Sequence, residues 1–252
     1  MIKENFTLTN PSGLKLECQI DRDETKPQQP IVFIAGGFGS EALTGSTQPV
    51  LTEMFLKKGF SVMRMNFRGN GNSEGQLSHA TISAGLEDLN TALDYIRALP
   101  SGGHDIGLCG DSYGAGLLFH EVAEHPEHKY KFLILLSARI DTKWRYETDA
   151  SIDLKDWKEK EFIYFRGSPR HYCLYSDTLN YHPWEVAHNI AIPTLIVHGD
   201  KDETCPYEQA ERAHKLINSS ELVTLKDGKH AIKERIHEIA GIISDWLDSK
   251  WY

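Results

Sequence analysis

Gly110-Asp111-Ser112-Tyr113-Gly114 is the stretch that decides the fold, because it joins a strand-like segment to a helix-like one. The apolar run at 106–109 predicts a buried strand, and residues 113–124 predict a helix that ends before Pro126. A serine at such a junction fits the G-x-S-x-G pattern of a nucleophile elbow. The glycines are expected because so tight a turn leaves no room for side chains two residues from the serine.

This turn would have two chemical consequences. It would lift the Ser112 hydroxyl clear of the sheet and leave the Tyr113 backbone N–H at a helix N-terminus, where it can bind an oxyanion. A glycine-rich turn with an incidental serine is the alternative. The partners of Ser112 elsewhere in the sequence therefore decide between the two readings.

Composition excludes several classes of function. The 252 residues are 40% hydrophobic and 25% charged, as in ordinary globular proteins, and the net charge of −9 argues against nucleic acid as a partner. The N-terminus has no apolar stretch behind its charge, and no apolar run approaches the roughly 20 residues of a membrane span. The four cysteines form no C-x-x-C pair, so we predict reduced thiols in a cytoplasmic protein.

Strand-like and helix-like segments alternate along most of the chain. A hairpin is predicted at 6–9 and 14–20, followed by strands at 31–35, 60–67, 106–109, 132–137, 194–197 and 222–225. Apolar residues at helical spacing predict helices between them, and a final helix that begins at Ile232. The order predicts an α/β protein whose mostly parallel eight-stranded sheet carries helices on both faces.

The alternation breaks at residues 140–188, which contain ten of the 25 aromatic residues. This segment follows the sixth strand, at the carboxyl edge where open α/β sheets bind ligands. We therefore predict one domain, 1–252, with a small lid at 140–188. Its aromatic rings either contact the substrate or form only the core of the lid.

A serine hydroxyl needs a base, and the base needs an acid to orient it. His230 follows the last predicted strand, and the segment 198–202, His-Gly-Asp-Lys-Asp, follows the seventh. Side chains at the carboxyl ends of parallel strands reach the same edge as the elbow, and the order serine, aspartate, histidine is that of a known hydrolase arrangement. Asp200, Asp202 and Asp141, just beyond the sixth strand, are the candidate acids.

These motifs resemble those of a known family. The elbow, residues 66–75 (Asn-Phe-Arg-Gly-Asn-Gly-Asn-Ser-Glu-Gly) and the His-Gly-x-x-Asp pattern at 198–202 are similar to the α/β-hydrolase superfamily, in the branch of serine esterases, monoacylglycerol lipases and cinnamoyl (feruloyl) esterases. The resemblance covers nearly the full length and is weakest at 140–188. It implies that Asp202 is the acid of a triad with Ser112 and His230.

Neighbouring residues have expected supporting roles. An oxyanion hole needs two backbone donors, which we assign to the N–H groups of Tyr113 and Phe38. Family members usually carry His-Gly where this chain has Gly36-Gly37, so a bracing imidazole is absent here but no donor is lost. We expect His198 to hold the loop beneath Asp202, and Asp111 to point away from the serine and brace its own loop.

Two other kinds of site fit less well. Residues 37–42 match the G-x-G-x-x-[GA] fingerprint of dinucleotide binding, but Asn66 stands where that fingerprint expects an acidic residue. No H-E-x-x-H or comparable ligand spacing occurs. The sequence thus predicts neither a metal nor a cofactor.

The sequence as a whole predicts a serine hydrolase acting on a small-molecule ester with an apolar acyl or aryl part, through an acyl-enzyme. Thioesters, monoacylglycerols and small peptides can be hydrolysed by the same groups, and a non-catalytic ligand-binding relative is the other class. The sequence does not identify the substrate-binding residues or the oligomeric state.

Overall fold

The protein contains ten strands and nine α-helices in the residues that the computed structural model describes, which are 1–26, 29–99, 105–165, 167–230 and 232–250. The strands are β1 Ile2–Thr9, β2 Lys15–Arg22, β3 Ile31–Ala35, β4 Ser61–Met65, β5 Ile106–Asp111, β6 Tyr130–Leu136, β7 Phe162–Phe165, β8 Ser168–His171, β9 Thr194–Gly199 and β10 Ser220–Leu225. The helices are α1 Gln48–Lys57, α2 Ile82–Ala98, α3 Tyr113–Glu124, α4 Thr142–Thr148, α5 Leu154–Lys160, α6 Cys173–Ser176, α7 Pro183–Val186, α8 Tyr207–Leu216 and α9 Ile236–Lys250.

Eight strands form the main sheet, in the order β1-β2-β4-β3-β5-β6-β9-β10. β2 is antiparallel to β1 and to β4, whereas every other neighbouring pair is parallel. Every residue of β3 is buried, as a parallel strand covered on both faces requires. The predicted hairpin and the mostly parallel eight-stranded sheet are confirmed.

Helices cover both faces of this sheet. Residues of α2, α3 and α8 pack in one apolar cluster, and residues of α1 and α9 pack in another on the opposite face. The last helix begins later than predicted, because residues 232–235 form a 3₁₀ turn before α9. Arg235 ties this turn to the end of β10 by donating a hydrogen bond to the Lys226 carbonyl. No helix among the described residues combines the length and apolar character needed to cross a bilayer.

The 140–188 segment folds around a small core of its own. Trp157 is fully buried there with Tyr146 and Leu174, and its indole N–H donates to the Arg170 carbonyl. β7 and β8 pair only with each other, as a short antiparallel hairpin. Several of the aromatic rings of this segment therefore serve its internal packing.

Candidate active site

The backbone at Ser112 has the strained conformation that an elbow requires. Its φ of 52° and ψ of −110° lie outside the regions that ordinary L-residues prefer. The Ser112 N–H donates to the Leu136 carbonyl at the end of β6, and the Ser112 carbonyl accepts hydrogen bonds from Gly116 and Arg139. Bonds to β6, to α3 and to the chain after β6 thus hold the serine in place.

The two elbow glycines are required by close packing. A Cβ at Gly110 would lie 2.7 Å from the backbone of Ala115, and one at Gly114 would lie 2.5 Å from the Gly36 carbonyl oxygen. Contacts this short do not occur with real side chains. The glycines of the G-x-S-x-G pattern are therefore required by steric crowding, as the sequence predicted.

Three side chains that are distant in sequence meet at the carboxyl edge of the sheet. The Ser112 Oγ lies 2.9 Å from His230 Nε2, and His230 Nδ1 lies 2.8 Å from Asp202 Oδ2. An ionised carboxylate only accepts hydrogen bonds, so Nδ1 carries the proton of the neutral imidazole. Nε2 then accepts from the serine hydroxyl. This is the arrangement in which a histidine can remove the serine proton.

Asp202 is held by its own loop. Its Oδ1 accepts hydrogen bonds from the backbone N–H groups of Thr204 and Cys205, each at 2.8 Å. The loops after β9 and β10 touch at Gly199 and Gly228, where a Cβ on Gly199 would lie 2.2 Å from the Gly228 carbonyl oxygen. This contact sets the two loops at the spacing that the Asp202–His230 hydrogen bond needs.

The competing acids are occupied elsewhere or exposed. Asp141 caps α4 by accepting from the Trp144 N–H, and its other oxygen accepts from the Trp184 indole. Asp200 is exposed. Of the three aspartates considered from the sequence, Asp202 is the one hydrogen-bonded to His230.

His198 lies beneath the acid, as expected. It is fully buried, and its Nε2 lies 2.8 Å from the Cys205 carbonyl oxygen and 3.2 Å from Asp202 Oδ2. Donation from Nε2 to both oxygens fixes the course of the 202–205 loop. The residue therefore positions the carboxylate without contacting Ser112.

The electrostatics of the pair favour the charged forms of both groups. Burial alone would lower the pKa of His230, but its hydrogen bonds and charge interactions with Asp202 and Cys205 outweigh burial and raise the pKa to about 9. Burial would likewise raise the pKa of Asp202, yet hydrogen bonds from His198 and His230 hold it well below its usual range. Asp202 is thus ionised throughout the neutral range.

The two amides assigned to the oxyanion hole flank Ser112. Gly37 packs against the elbow, since a Cβ there would lie 3.6 Å from the Ser112 Cβ. The next residue, Phe38, lines the cavity beside Ser112, and its ring meets the Tyr113 ring edge-on at 5.5 Å. Among the described residues, neither the Phe38 nor the Tyr113 N–H donates to another protein group. Both amides therefore remain available to a ligand.

Asp111 does not take the position expected from the sequence. It lines the same cavity as Ser112 and His230, and its Oδ2 lies 3.6 Å from where a Cβ of Gly37 would be. Burial raises the pKa of Asp111 to about 6, against the charges of His230 and Arg139, which lower it. The expectation that it points away from the serine is therefore wrong, and its role in bracing a loop stays a prediction. The G-x-S-x-G pattern carries no signal for the direction of this side chain.

The cavity at Ser112 has a volume of about 340 Å³. Its wall includes residues from the loop after β3, the elbow, and the loops after β6, β9 and β10, among them Phe38, Arg139, Thr204 and His230. A small organic substrate fits a space of this size.

The structure argues against dinucleotide binding at residues 37–42. The fingerprint needs a helix N-terminus directly after the glycines, but α1 begins only at Gln48. Asn66 is also engaged, because its side chain accepts from the Ala42 N–H and donates to Glu17. This loop therefore lacks both features by which the fingerprint holds a nucleotide.

One group of side chains in the described part of the chain has ligand atoms close enough to share a metal ion. His79, His171 and Cys173 each place one such atom within 4.8 Å of the others. The distance of His79 from the other two in the chain explains why motif reading missed the group. None of the three lines the cavity at Ser112, so the group has no place in the chemistry of that site.

Comparison with protein families finds two matches. Residues 26–166, more than half of the chain, match the family described as "Serine aminopeptidase, S33". Residues 171–245 match a family described as "TAP-like protein". A mouse (Mus musculus) relative, "Palmitoyl-protein thioesterase ABHD10, mitochondrial", is 25% identical over 239 residues, which cover 86% of this chain and 75% of the relative.

Solved structures share the fold. Est1E from Butyrivibrio proteoclasticus, in a structure with bound ferulic acid, matches with a TM-score of 0.87 at 20% identity, over 96% of this chain and 98% of that one. Mouse alpha/beta hydrolase domain-containing protein 10 matches with a TM-score of 0.80 at 19% identity, over 98% and 99% of the two chains. At these identities the similarity establishes the architecture alone.

Proposed function

The chain belongs to the α/β-hydrolase superfamily and to the family described as "Serine aminopeptidase, S33", and from this premise we propose that it is a serine hydrolase that cleaves carboxylic esters. One observation carries the proposal: Ser112, His230 and Asp202 form a continuous chain of hydrogen bonds of 2.9 and 2.8 Å beside an open cavity. A structural role for these residues would not require an accessible hydroxyl next to an imidazole. A non-catalytic ligand-binding protein would not need this arrangement.

In the first half of the reaction, Ser112 Oγ attacks the ester carbonyl carbon while its proton passes to His230 Nε2. Asp202 keeps the imidazole in the required tautomer and stabilises the imidazolium that forms. The negative charge that develops on the carbonyl oxygen is stabilised by the N–H groups of Phe38 and Tyr113. Each preorganised donor of this kind lowers the barrier by roughly 3 kcal/mol.

Collapse of the tetrahedral intermediate breaks the bond to the alcohol, which leaves with the proton from His230. A water molecule then gives a proton to His230 Nε2 and attacks the acyl-enzyme carbonyl. The second collapse releases the carboxylic acid and returns the proton to Ser112 Oγ. No redox change and no cofactor enter this scheme.

We further propose that residues 140–188 act as a lid within a single domain spanning 1–252. The segment follows β6 and reaches the site, because Tyr146 on α4 and Arg170 on β8 line a cavity with Phe38. The proposed location is the cytoplasm, and all four cysteines are free. The compartment in the name of the mouse relative is a property of that relative.

A thioester is the second candidate substrate. The mouse relative that covers 86% of this chain is named a palmitoyl-protein thioesterase, and thioester cleavage uses the same serine, histidine and oxyanion donors. The groups around Ser112 serve an ester and a thioester equally, so the substrate panel decides between them.

A panel of substrates tests this proposal. 4-Nitrophenyl esters of increasing chain length are assayed beside a feruloyl ester, an acyl thioester and an amino-acid anilide, with the wild type and Ser112→Ala. We expect ester turnover that falls at least about 10⁴-fold in Ser112→Ala, while Ser249→Ala, on α9, stays at the wild-type rate. Ester turnover that survives in Ser112→Ala would refute the mechanism. Faster cleavage of the thioester than of the esters would make thioesters the substrate class.

A further inference from the structure

A second cavity, of about 160 Å³, adjoins the one at Ser112. It shares Phe38, Arg139 and Thr204 with the first cavity, and its other lining residues are Arg145, Tyr146, Phe165 and Arg170. Arg145 and Tyr146 lie on α4, and Arg170 lies on β8. Three arginines thus meet beside the proposed reaction centre in a chain whose net charge is −9.

Two of these arginines have no acidic partner. Arg139 and Arg170 form no ion pair within 4.0 Å in the part of the chain that the structure describes, and one buried guanidinium nitrogen of each has no hydrogen-bond partner there. The buried Arg64, in contrast, is paired with Asp21 at 2.8 Å. A half-buried cation without a counter-charge is unfavourable, and an anion in the cavity would relieve that cost.

The ring of Phe38 supports both cations. The Arg170 guanidinium carbon lies 4.5 Å from the ring centroid, and that of Arg139 lies 5.9 Å from it. These cation–π contacts hold the guanidiniums through the ring face and do not occupy their N–H groups, although Arg139 also donates to Cys205. The backbone N–H of the same residue is the proposed second oxyanion donor, so an anion in this cavity would lie close to the reacting carbonyl.

The pKa values of the two arginines shift in opposite directions. Burial lowers the pKa of Arg170, and the nearby charge of Arg139 lowers it further. Burial would also lower the pKa of Arg139, but Cys205 and Tyr146 raise it. Arg145, the third arginine, lies 3.4 Å from Asp149 and is therefore not left without a counter-charge. The excess positive charge is thus centred on Arg139 and Arg170, which both line this cavity, although Arg139 also acts on the Asp111 carboxylate and lowers its pKa.

We propose that this second cavity binds an anionic oxyacid group of the substrate, a carboxylate being the smallest, and that the enzyme prefers esters that carry such a group near the scissile bond. The inference rests on the proposed hydrolase function and specifies its substrate class. Planar guanidiniums match the two oxygens of a carboxylate, in paired hydrogen bonds that lysine cannot reproduce. A volume close to that of an engineered cavity that admits benzene, roughly 150 Å³, suits a carboxylate with a short carbon chain.

Matched pairs of esters test the preference. Mono-4-nitrophenyl glutarate carries the anion on the acyl side, and 4-nitrophenyl 5-methylhexanoate is its uncharged counterpart of similar shape. 4-Acetoxybenzoate carries the anion on the alcohol side, with 4-acetoxybenzamide as its neutral counterpart. We expect kcat/KM to favour the anionic member of at least one pair by about tenfold or more, since hydrogen bonds between charged groups are the strong ones. The pair that shows the preference identifies whether the cavity binds the acyl side or the alcohol side of the ester.

Substitutions assign the preference to the arginines. Arg170→Gln should abolish most of the preference while retaining turnover of the neutral ester. In Arg139→Gln, whose side chain also lines the cavity at Ser112, the ratio of kcat/KM between the anionic and the neutral ester should fall likewise. Arg212→Gln removes the same charge from an exposed side chain of α8, over the Trp184 ring, and should change nothing. A preference of less than about twofold in the wild type, or one that survives in both cavity variants, would overturn the proposal.

Binding to a catalytically inactive protein separates this inference from the hydrolase function. Ser112→Ala is titrated calorimetrically with mono-4-nitrophenyl glutarate and 4-acetoxybenzoate, and again in combination with Arg170→Gln. We expect at least one anionic ester to bind Ser112→Ala about tenfold more tightly than the double variant, whether or not the wild type turns it over. Equal affinity of the two proteins for both esters would refute the anion site, even if ester hydrolysis itself were demonstrated.

Discussion

Charge is balanced in one region of the site and unbalanced in the region next to it. At the sheet edge, Asp202 accepts hydrogen bonds from His230 and from two backbone N–H groups of its own loop. In the adjoining cavity, Arg139 and Arg170 have no ion-pair partner among the residues described, although both pack on Phe38. The reacting groups are complete without a ligand, whereas the cavity lacks a counter-charge.

The difference follows from what each region must do. Groups that move a proton need fixed geometry before the substrate arrives, which a complete set of hydrogen bonds provides. Groups that recognise a charged substrate must keep their donors available until it binds. We expect substitutions at the sheet edge to affect all substrates alike, and substitutions around the second cavity to affect one class of substrate.

The largest expected effect tests the sheet edge. Asp202→Asn preserves the shape of the side chain but removes the charge that fixes the imidazole tautomer, so kcat should fall by about 10⁴ for anionic and neutral esters alike. Asp141→Asn is the comparison variant: asparagine keeps the cap of α4 but loses the oxygen that accepts from the Trp184 indole, so only a small loss of kcat is expected. If steady-state kinetics show the large loss of kcat in Asp141→Asn instead, Asp141 rather than Asp202 is the acid of the triad.

The next effect concerns the 140–188 segment. Trp157→Ala empties the centre of its small core and should lower the free energy of unfolding of that segment by about 3–5 kcal/mol. Tyr164→Ala, in the same segment but 74% exposed, should change it by less than about 0.5 kcal/mol. Hydrogen exchange measures the loss locally. If Trp157→Ala also abolished hydrolysis of a neutral ester, the reacting groups at the sheet edge would not be independent of the 140–188 segment.

The pH dependence of kcat/KM should follow the ionisation of His230 at the sheet edge. Because the pKa of His230 is raised to about 9, the imidazole of the free enzyme is protonated at neutral pH and cannot accept the serine proton. kcat/KM should therefore rise with pH and level off above about 9, rather than near the unperturbed value of about 6.5. A plateau reached by pH 7 would contradict the raised pKa of His230 and the combined effect of Asp202 and Cys205 on it.

The same shift affects stability with a defined sign. The folded-state pKa of His230 lies above its unfolded value, so its contribution to folding is fully present below about pH 6.5. That contribution is lost as the pH rises through about 9. The enzyme should consequently be most active where this contribution is smallest.

The smallest expected effect tests Asp111, which lies within the site. Its charge favours the imidazolium form of His230 and opposes negative charge on the substrate oxygen. Asp111→Asn should therefore shift the kcat/KM profile to lower pH and raise the rate at pH 7 roughly twofold to fivefold. Asp200→Asn removes an exposed charge from the loop after β9 and serves as the control. A profile that shifts equally in both variants would point to net charge as the cause.

The sequence predicted the sheet well because its signals are local. Buried runs such as 31–35 and 194–197 became β3 and β9, and Gly110 and Gly114 marked the elbow through a steric demand that any chain must meet. The meeting of Ser112, Asp202 and His230 followed from a topological rule, since side chains after parallel strands share one edge. Their catalytic role stays a prediction until it is measured.

The second cavity could not be predicted in this way. Arg139, Arg145 and Arg170 show no regular spacing, and only the fold of 140–188 brings them together around Phe38. The β7–β8 hairpin was missed because its strands are four residues long and one contains Pro169. The start of α9 was misplaced because Ile232 fits the apolar periodicity of a helix even though it lies in a 3₁₀ turn.

We propose above all that His230 makes the hydroxyl of Ser112 a nucleophile. Incubation with a fluorophosphonate, followed by peptide mass mapping, tests this without knowledge of the substrate. We expect one covalent adduct, on the peptide that contains Ser112, formed much more slowly in His230→Ala. An unchanged protein mass after prolonged exposure, or an adduct on another residue, would contradict it.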